Sequence, residues 1–209
     1  MTLLYDITRS VSPRTAVWPG DTPYHLSSVM SRAAGSSVNL LTLTMSPHTG
    51  THADAYYHIT DEGAAAIEMP LSAYLGPARV VTIHKEHGPL LPEDFPSAAL
   101  RGAARLLIHT PASARPDEMW SNHFAYLSVP LIEQLADDDC VLIGIDSPSV
   151  DAFDSEDLPC HHALRQHGLV NLENLQLSGV PDGDYELIAL PLKLDGACAS
   201  PVRAVLRAL

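Results

Sequence analysis

"NLLTLTMSPHTGTHADAYYH", residues 39–58, forces a choice between helix and strand that decides the fold. Its polar half carries His48, His52, Asp54 and His58, at steps of four, two and four. On a helix, a step of four would place His48 and His52 on one face, whereas on a strand a step of two does so for His52 and Asp54. The opening "NLLTLTM" is rich in Leu and Thr and reads as a strand. "SPHTG" then brings Pro47 and Gly50, which break regular structure. The strand reading follows. His48 and His52 are expected at a strand end and in the loop that leaves it, where scaffolds often present functional groups.

Apolar runs bounded by turn residues recur outward from this stretch. Val38–Met45, Ala78–His84, Arg105–His109, Cys140–Asp146, Tyr185–Leu192 and Val202–Leu209 each read as strands. Helical signals are fewer. Pro130–Leu135 opens with proline in a first-turn position, and Leu158–His167 stops at Gly168. Seventeen prolines spread through the chain favour short elements. The expectation is an α/β (α+β-like) fold, a single domain over residues 1–209, with a mostly β core and a few short helices.

Composition narrows the function classes. Apolar residues make up 46% of the 209, enough for a sizeable core, and charged residues only 18%, which argues against global disorder. The net charge of −13, with no Lys/Arg cluster, speaks against nucleic acid as a partner. No long uncharged apolar window exists, so no membrane span is expected. Cys140, Cys160 and Cys198 stand far apart with no CxxC pair, which suits a reducing compartment. "MTLLYDITRSV" lacks the basic start and apolar core of a signal peptide. A cytoplasmic setting is the expectation.

Imidazoles interleaved with a carboxylate suit zinc, with manganese or iron as alternatives. Gly50 would let the backbone turn and bring two histidines to one centre. A carboxylate such as Asp54 can also bridge two cations. His58 is open between a fourth ligand and a free acid/base, and the bland alternative is a polar loop. "DLPCHHALRQHGLVNLENL", residues 157–175, adds His161, His162, His167 and Glu173. Adjacent His161 and His162 point to different faces of a helix, so at most one is a ligand. His167, beside Gly168, suits the helix C-terminal dipole. "HKEHG", with His84 and His87, lacks the HExxH spacing and reads as a strand end and turn. Asp146 reads as a turn cap. GxSxG, Walker and GxGxxG patterns are absent. Trp18, in "VWPGDTP", is either a core plug or a flat surface for an aromatic ligand.

"SPHTGTHADAYYH" resembles the HxGTHxDxPxH signature of the cyclase-like metal-dependent hydrolases, and among them the bacterial kynurenine formamidases, or arylformamidases. "VWPGDTP", "YLGPARVV", "IGIDSPSVD", "LPCHHAL", "HGLVNLENL" and "GDYELIALPLKLDGACASPVRAVLRAL" follow in the expected order. The resemblance implies a homodimer with two zinc ions per subunit, manganese or another divalent metal being the alternative. It implies His48, His52, Asp54, His161 and Glu173 as metal ligands, Asp54 as the bridge, His58 as the catalytic histidine and Trp18 as a substrate contact. The implied reaction is hydrolysis of N-formyl-L-kynurenine to L-kynurenine and formate, in tryptophan catabolism. Opening of a cyclic or other aryl amide such as isatin is the near alternative, and a non-catalytic metal- or ligand-binding protein the distant one. Two positions depart from the family pattern: Tyr56 stands where it usually has proline, and Cys198 where an acidic residue is commoner.

Overall fold

Arg105–His109 and Leu142–Ile145 are almost continuously apolar and buried along their length. Strands of that kind belong in the middle of a parallel sheet covered on both faces. The computed structural model describes residues 3–209 and places them there. In chain order the strands are β1 (Leu4–Asp6), β2 (His25–Met30), β3 (Leu40–Thr44), β4 (His52–Asp54), β5 (Leu75–Thr82), β6 (Gly88–Leu90), β7 (Arg105–His109), β8 (Ala125–Leu127), β9 (Leu142–Ile145), β10 (Val170–Glu173), β11 (Gly183–Ile188), β12 (Ala199–Pro201) and β13 (Val205–Ala208). The helices are α1 (Ser97–Leu100), α2 (Val129–Asp137) and α3 (Pro159–His167).

Nine strands form one mixed sheet in the order β1-β13-β11-β5-β7-β9-β10-β4-β12. The run β5-β7-β9-β10 is parallel, and both flanks are antiparallel. Alternation along each strand divides the core in two. Leu107, Leu142, Val170 and Leu172 face one cluster, which includes Tyr74 and Leu187. Leu106, Ile108, Ile143 and Ile145 face the other, which is covered by α2 and α3. On the first face Gly144 has no room for a side chain: an added Cβ would lie 2.5 Å from Leu107 and 2.7 Å from Leu175.

Both long helices form for readable reasons. In α2, the Ser128 hydroxyl caps the Leu131 N–H, Pro130 lies in the first turn, and Leu131, Ile132 and Leu135 are buried. Each of those three contributes roughly 1.5–3 kcal/mol of apolar burial. In α3, Pro159 opens the helix and Gly168 closes it in the left-handed conformation at φ 70. Cys160, His161, Ala163 and Leu164 face inward, while His162 is exposed.

The expected strands are present with shifted ends. Arg105–His109 matches residue for residue, whereas Tyr185–Leu192 stops at Ile188, before Pro191, and Val202–Leu209 starts at Val205. One expectation is corrected: His52 begins strand β4 and does not lie in a loop, while His48 occupies the turn between β3 and β4. The β2–β3 hairpin stands apart from the main sheet and exposes Leu26, Val29, Met30, Leu40, Leu41 and Leu43.

Candidate metal centre

The site follows from strand alternation. In β4, Ala53 turns into the first apolar cluster, so His52 and Asp54 turn to the opposite face. In β10, Val170 and Leu172 do the same, leaving Asn171 and Glu173 on that opposite face. β4 and β10 are antiparallel neighbours with Glu173 opposite His52 and Leu172 opposite Ala53. Four polar side chains therefore meet where the apolar cover of α2 and α3 ends. All four are buried.

The distances are short. His52 Nε2 lies 3.4 Å from both Asp54 Oδ1 and Glu173 Oε2. His48 Nδ1 approaches Asp54 Oδ1 at 3.1 Å. From α3, His161 Nε2 stands 3.5 Å from Asp54 Oδ2 and 3.6 Å from Glu173 Oε1. Potential ligand atoms fall into three groups, each within 4.8 Å: His48, His52 and Asp54; Asp54, His161 and Glu173; and His48, His58 and Cys198. Asp54 is common to the first two.

Hydrogen bonds behind these residues set their tautomers. His52 Nδ1 donates to the Gly50 carbonyl at 2.9 Å, which leaves Nε2 to face the carboxylates. His161 Nδ1 donates to Asp151 Oδ2 at 2.6 Å, with the same consequence for its Nε2. Asp151 also accepts the backbone N–H groups of Cys160 and His161 at the start of α3. Asn171 donates to Asp54 Oδ2 at 2.7 Å and to Glu173 Oε1 at 3.3 Å, and the Val150 N–H donates to Glu173 Oε1 at 3.0 Å.

The charge pattern asks for a cation. Burial works against the charged form of His48 and His52, yet the close approach of Asp54, joined by Cys198 and Glu173 respectively, holds them up at about 9 and about 10. Burial likewise opposes ionisation of Asp54, but the neighbouring imidazoles of His161, His48 and His52 hold its carboxyl well below the usual range. No Lys or Arg reaches Asp54 or Glu173 among the described residues. His52 Nε2 and Asp54 Oδ1 are buried and lack a hydrogen-bond partner. Buried polar atoms are seldom left so. Convergent imidazole nitrogens and carboxylate oxygens, two of the imidazoles held in one tautomer, fit a divalent metal.

His58 belongs to neither of the two groups that share Asp54 and falls in the third, beside His48 and Cys198. It lies in a 3₁₀ turn, Tyr56–His58, directly after β4, with its ring 4.3 Å from that of His48 and 5.7 Å from that of His161. Its surface is open to the cavity, while the protein crowded around it lowers its pKa, so the imidazole is neutral at neutral pH. The Tyr56 hydroxyl donates to the Leu169 carbonyl at 3.0 Å and ties this turn to the corner between α3 and β10. Gly63 closes on the same turn: an added Cβ there would lie 2.2 Å from the Tyr56 carbonyl carbon. Cys198 Sγ meets His48 Nε2 at 3.3 Å, a bond that lowers the thiol pKa.

The cluster opens onto a cavity of about 550 Å³ lined by Trp18, Met119, Trp120, His48, His58 and His161, among others. That volume suits a small organic molecule. Trp18 packs edge-on against Trp120 at 5.2 Å and at a tilt against Phe153 at 5.1 Å, and remains 36% exposed. It is a cavity wall and not a core plug.

All seven sequence-expected site residues thus converge: His48, His52, Asp54, His58, His161, Glu173 and Trp18. His162 faces outward, His167 is exposed at the end of α3, and His84 and His87 are exposed outside the cavity. Asp146 is a structural cap, accepting four hydrogen bonds from Thr110 and Ser113. Sequence reasoning missed Asp151, Asn171 and Trp120. The alternation in "VNLE" could have flagged Asn171 beside Glu173. Asp151 lies ten residues before His161 and carries no local signal.

The model of the putative cyclase family matches residues 5–152. Over 205 residues the chain is 48% identical to kynurenine formamidase of Salinibacter ruber (strain DSM 13855 / M31), spanning 98% of this chain and 97% of that one. Among solved structures, a predicted metal-dependent hydrolase from Bacillus stearothermophilus superposes with a TM-score of 0.84 at 26% identity, over 99% of this chain and 98% of the other. Isatin hydrolase A from Ralstonia solanacearum gives 0.85 at 21% identity, over 100% and 92%, a likeness of fold alone.

Proposed function

The chain belongs to the putative cyclase family, and from that premise we propose that it is an arylformamidase, hydrolysing N-formyl-L-kynurenine to L-kynurenine and formate. The observation that carries the reading is the pair of ligand groups sharing Asp54, opening beside the His58 imidazole onto a cavity with aromatic walls. The 48% identity to a kynurenine formamidase along nearly the whole chain supports the same substrate.

In this reading His48, His52 and Asp54 hold one divalent ion, and Asp54, His161 and Glu173 a second. Ions held there supply a water of lowered pKa, about 7 against 15.7, and positive charge for the substrate's carbonyl oxygen. The chain's own residues do the rest. Trp18 gives the aryl ring a flat wall. Asp151 and the Gly50 carbonyl keep two imidazoles in the tautomer that directs Nε2 inward. His58 takes a proton from the attacking water and delivers it to the departing nitrogen. Water oxygen joins the formyl carbon, the C–N bond breaks, and the amine leaves neutral, which an aryl amide anion does poorly.

Zinc as the metal, two ions per subunit, a homodimer and a cytoplasmic setting complete the proposal. Mixed nitrogen and oxygen ligands support zinc. Three unpaired cysteines support a reducing compartment. The exposed apolar side chains of the β2–β3 hairpin support a second copy as their cover. Leu41→Glu with Leu43→Glu is expected to turn a dimer into a monomer by light scattering.

The test is to count metals per chain and follow formate release from N-formyl-L-kynurenine, with isatin opening as the competing reaction. Rapid formate release with slow isatin opening is expected. A chain that binds no metal and gains no activity with added zinc sinks the proposal.

A further inference from the structure

Five charged side chains line the cavity outside the metal cluster: Arg9, Asp117, Asp146, Arg115 and Asp21. Three are committed. Arg9 pairs with Asp117 at 3.0 Å and donates to the carbonyls of Arg115, Ala112 and Asp146. Asp146 is saturated by Thr110 and Ser113. The other two have no ionic partner among the described residues. Arg115 spends only Nη2, on the His123 carbonyl at 3.0 Å, and Asp21 accepts only the Thr22 N–H.

These two charges of opposite sign are carried on neighbouring loops. The Asp21 N–H closes a turn onto the Trp18 carbonyl at 2.9 Å, and Arg115 begins the segment that ends in Trp120. The loops are joined by the Trp18–Trp120 contact at 5.2 Å and by a backbone bond from Ala16 N–H to the Asp117 carbonyl at 2.8 Å. The cavity therefore offers a free guanidinium and a free carboxylate beside its aromatic wall.

We propose that Arg115 and Asp21 are specificity-determining residues that bind the α-amino-acid end of the substrate, Arg115 its carboxylate and Asp21 its ammonium. The assignment rests on the arylformamidase reading. A guanidinium fork matches a carboxylate in two parallel hydrogen bonds, and a lone carboxylate matches an ammonium. Arg9 could not serve without leaving Asp117, and Asp146 could not serve without releasing four donors. An aryl formamide lacking the amino acid would meet the metal centre and Trp18 but leave both charges unused.

The experiment compares N-formyl-L-kynurenine with 2′-formamidoacetophenone, which keeps the aryl formamide and the ketone but has no amino or carboxyl group. Arg115→Gln is expected to raise KM for N-formyl-L-kynurenine by about tenfold or more, with kcat little changed, and to leave kcat/KM for the truncated formamide as in the wild type. Asp21→Asn is expected to act in the same direction with a smaller factor, and Arg115→Lys to recover part of the loss. Equal losses on both formamides would assign Arg115 a structural role and overturn the proposal, as would no loss on either. A wild type that hydrolyses neither formamide refutes the arylformamidase reading itself, whereas a wild type that hydrolyses both, with variants that do not discriminate, refutes the amino-acid clamp alone.

Discussion

Asp151→Asn separates the metal ligands from the groups that aim them. Asp151 Oδ1 accepts the Cys160 N–H at 2.8 Å, and Oδ2 accepts both the His161 N–H at 3.0 Å and His161 Nδ1–H at 2.6 Å. An asparagine has one carbonyl oxygen for these three donors. If its oxygen serves Cys160, its NH₂ points at the backbone N–H and Nδ1–H of His161. The ring can relieve that clash by moving its proton to Nε2, which removes the lone pair aimed at Asp54 and Glu173. If the amide turns over, its NH₂ faces the Cys160 N–H, and the charge behind His161 is lost in either case. Substitution of such a partner commonly weakens metal binding 10- to 100-fold, about 1.4–2.7 kcal/mol. The ion in the group of Asp54, His161 and Glu173 should feel this, and the ion in the group of His48, His52 and Asp54 much less. The assay is metal content per chain against a graded chelator, with circular dichroism to show that the fold persists. One ion is expected to leave at 10- to 100-fold weaker chelation than in the wild type, and the other near its wild-type point. Superimposable chelation curves together with unchanged kcat would refute the reasoning.

His58→Ala is expected to keep its full metal content and lose about 10²- to 10⁴-fold in kcat, read by formate release and metal analysis. Loss of metal in that variant would make His58 a ligand. Tyr56→Phe removes the bond to the Leu169 carbonyl and is expected to cost about 0.5–1.5 kcal/mol in urea denaturation, with a fall in kcat that reports a loosened His58 turn. An unchanged kcat and midpoint would leave the tether without a role. In the metal-free chain, the raised pKa values of His48, about 9, and His52, about 10, give stability that is fully present below about pH 6.5 and lost as pH rises through 9 to 10. The lowered carboxyls of Asp54 and Glu173 give stability that is present above about pH 4.5 and lost on acidification. The urea midpoint of the metal-free protein should therefore fall from pH 8 to pH 10, and a rise there contradicts the pairing.

The interior strands were the most legible part of the fold. Arg105–His109 and Cys140–Asp146 are apolar runs that only a covered sheet can hide, and period alone finds them. Strands β4 and β10 escaped because half of their residues are the site: His52, Asp54, Asn171 and Glu173 replace the apolar or solvent-facing residues that make alternation recognisable. The histidine clusters were legible because histidine is dense at residues 48–58 and 161–167, whereas the ligand set itself came from the family resemblance. The choice of His161 over His162 was not, since the phase of α3 against the sheet is set by packing of Cys160 and Leu164. Asp151 and the free charges of Arg115 and Asp21 were hidden for another reason. Their meaning lies in which partners they have or lack, and that is decided by distant segments. The departure at Tyr56 involves such a segment too: its hydroxyl anchors on Leu169, 113 residues away.

The placement of β4 between β10 and β12 also bears on the order in which the molecule is made. Asp54 and its partner Asn171 are separated by 117 residues. At about 5–20 residues per second, roughly 6–25 s of synthesis pass between them. During that interval His48, His52 and Asp54 can offer one set of ligands, and the second set does not exist. Strand β4 meanwhile has neither neighbour and remains an unpaired edge. The two ligand groups therefore cannot be completed as a unit on the growing chain, and assembly of the shared Asp54 centre is a late event, closed only when the last third of the protein has been delivered.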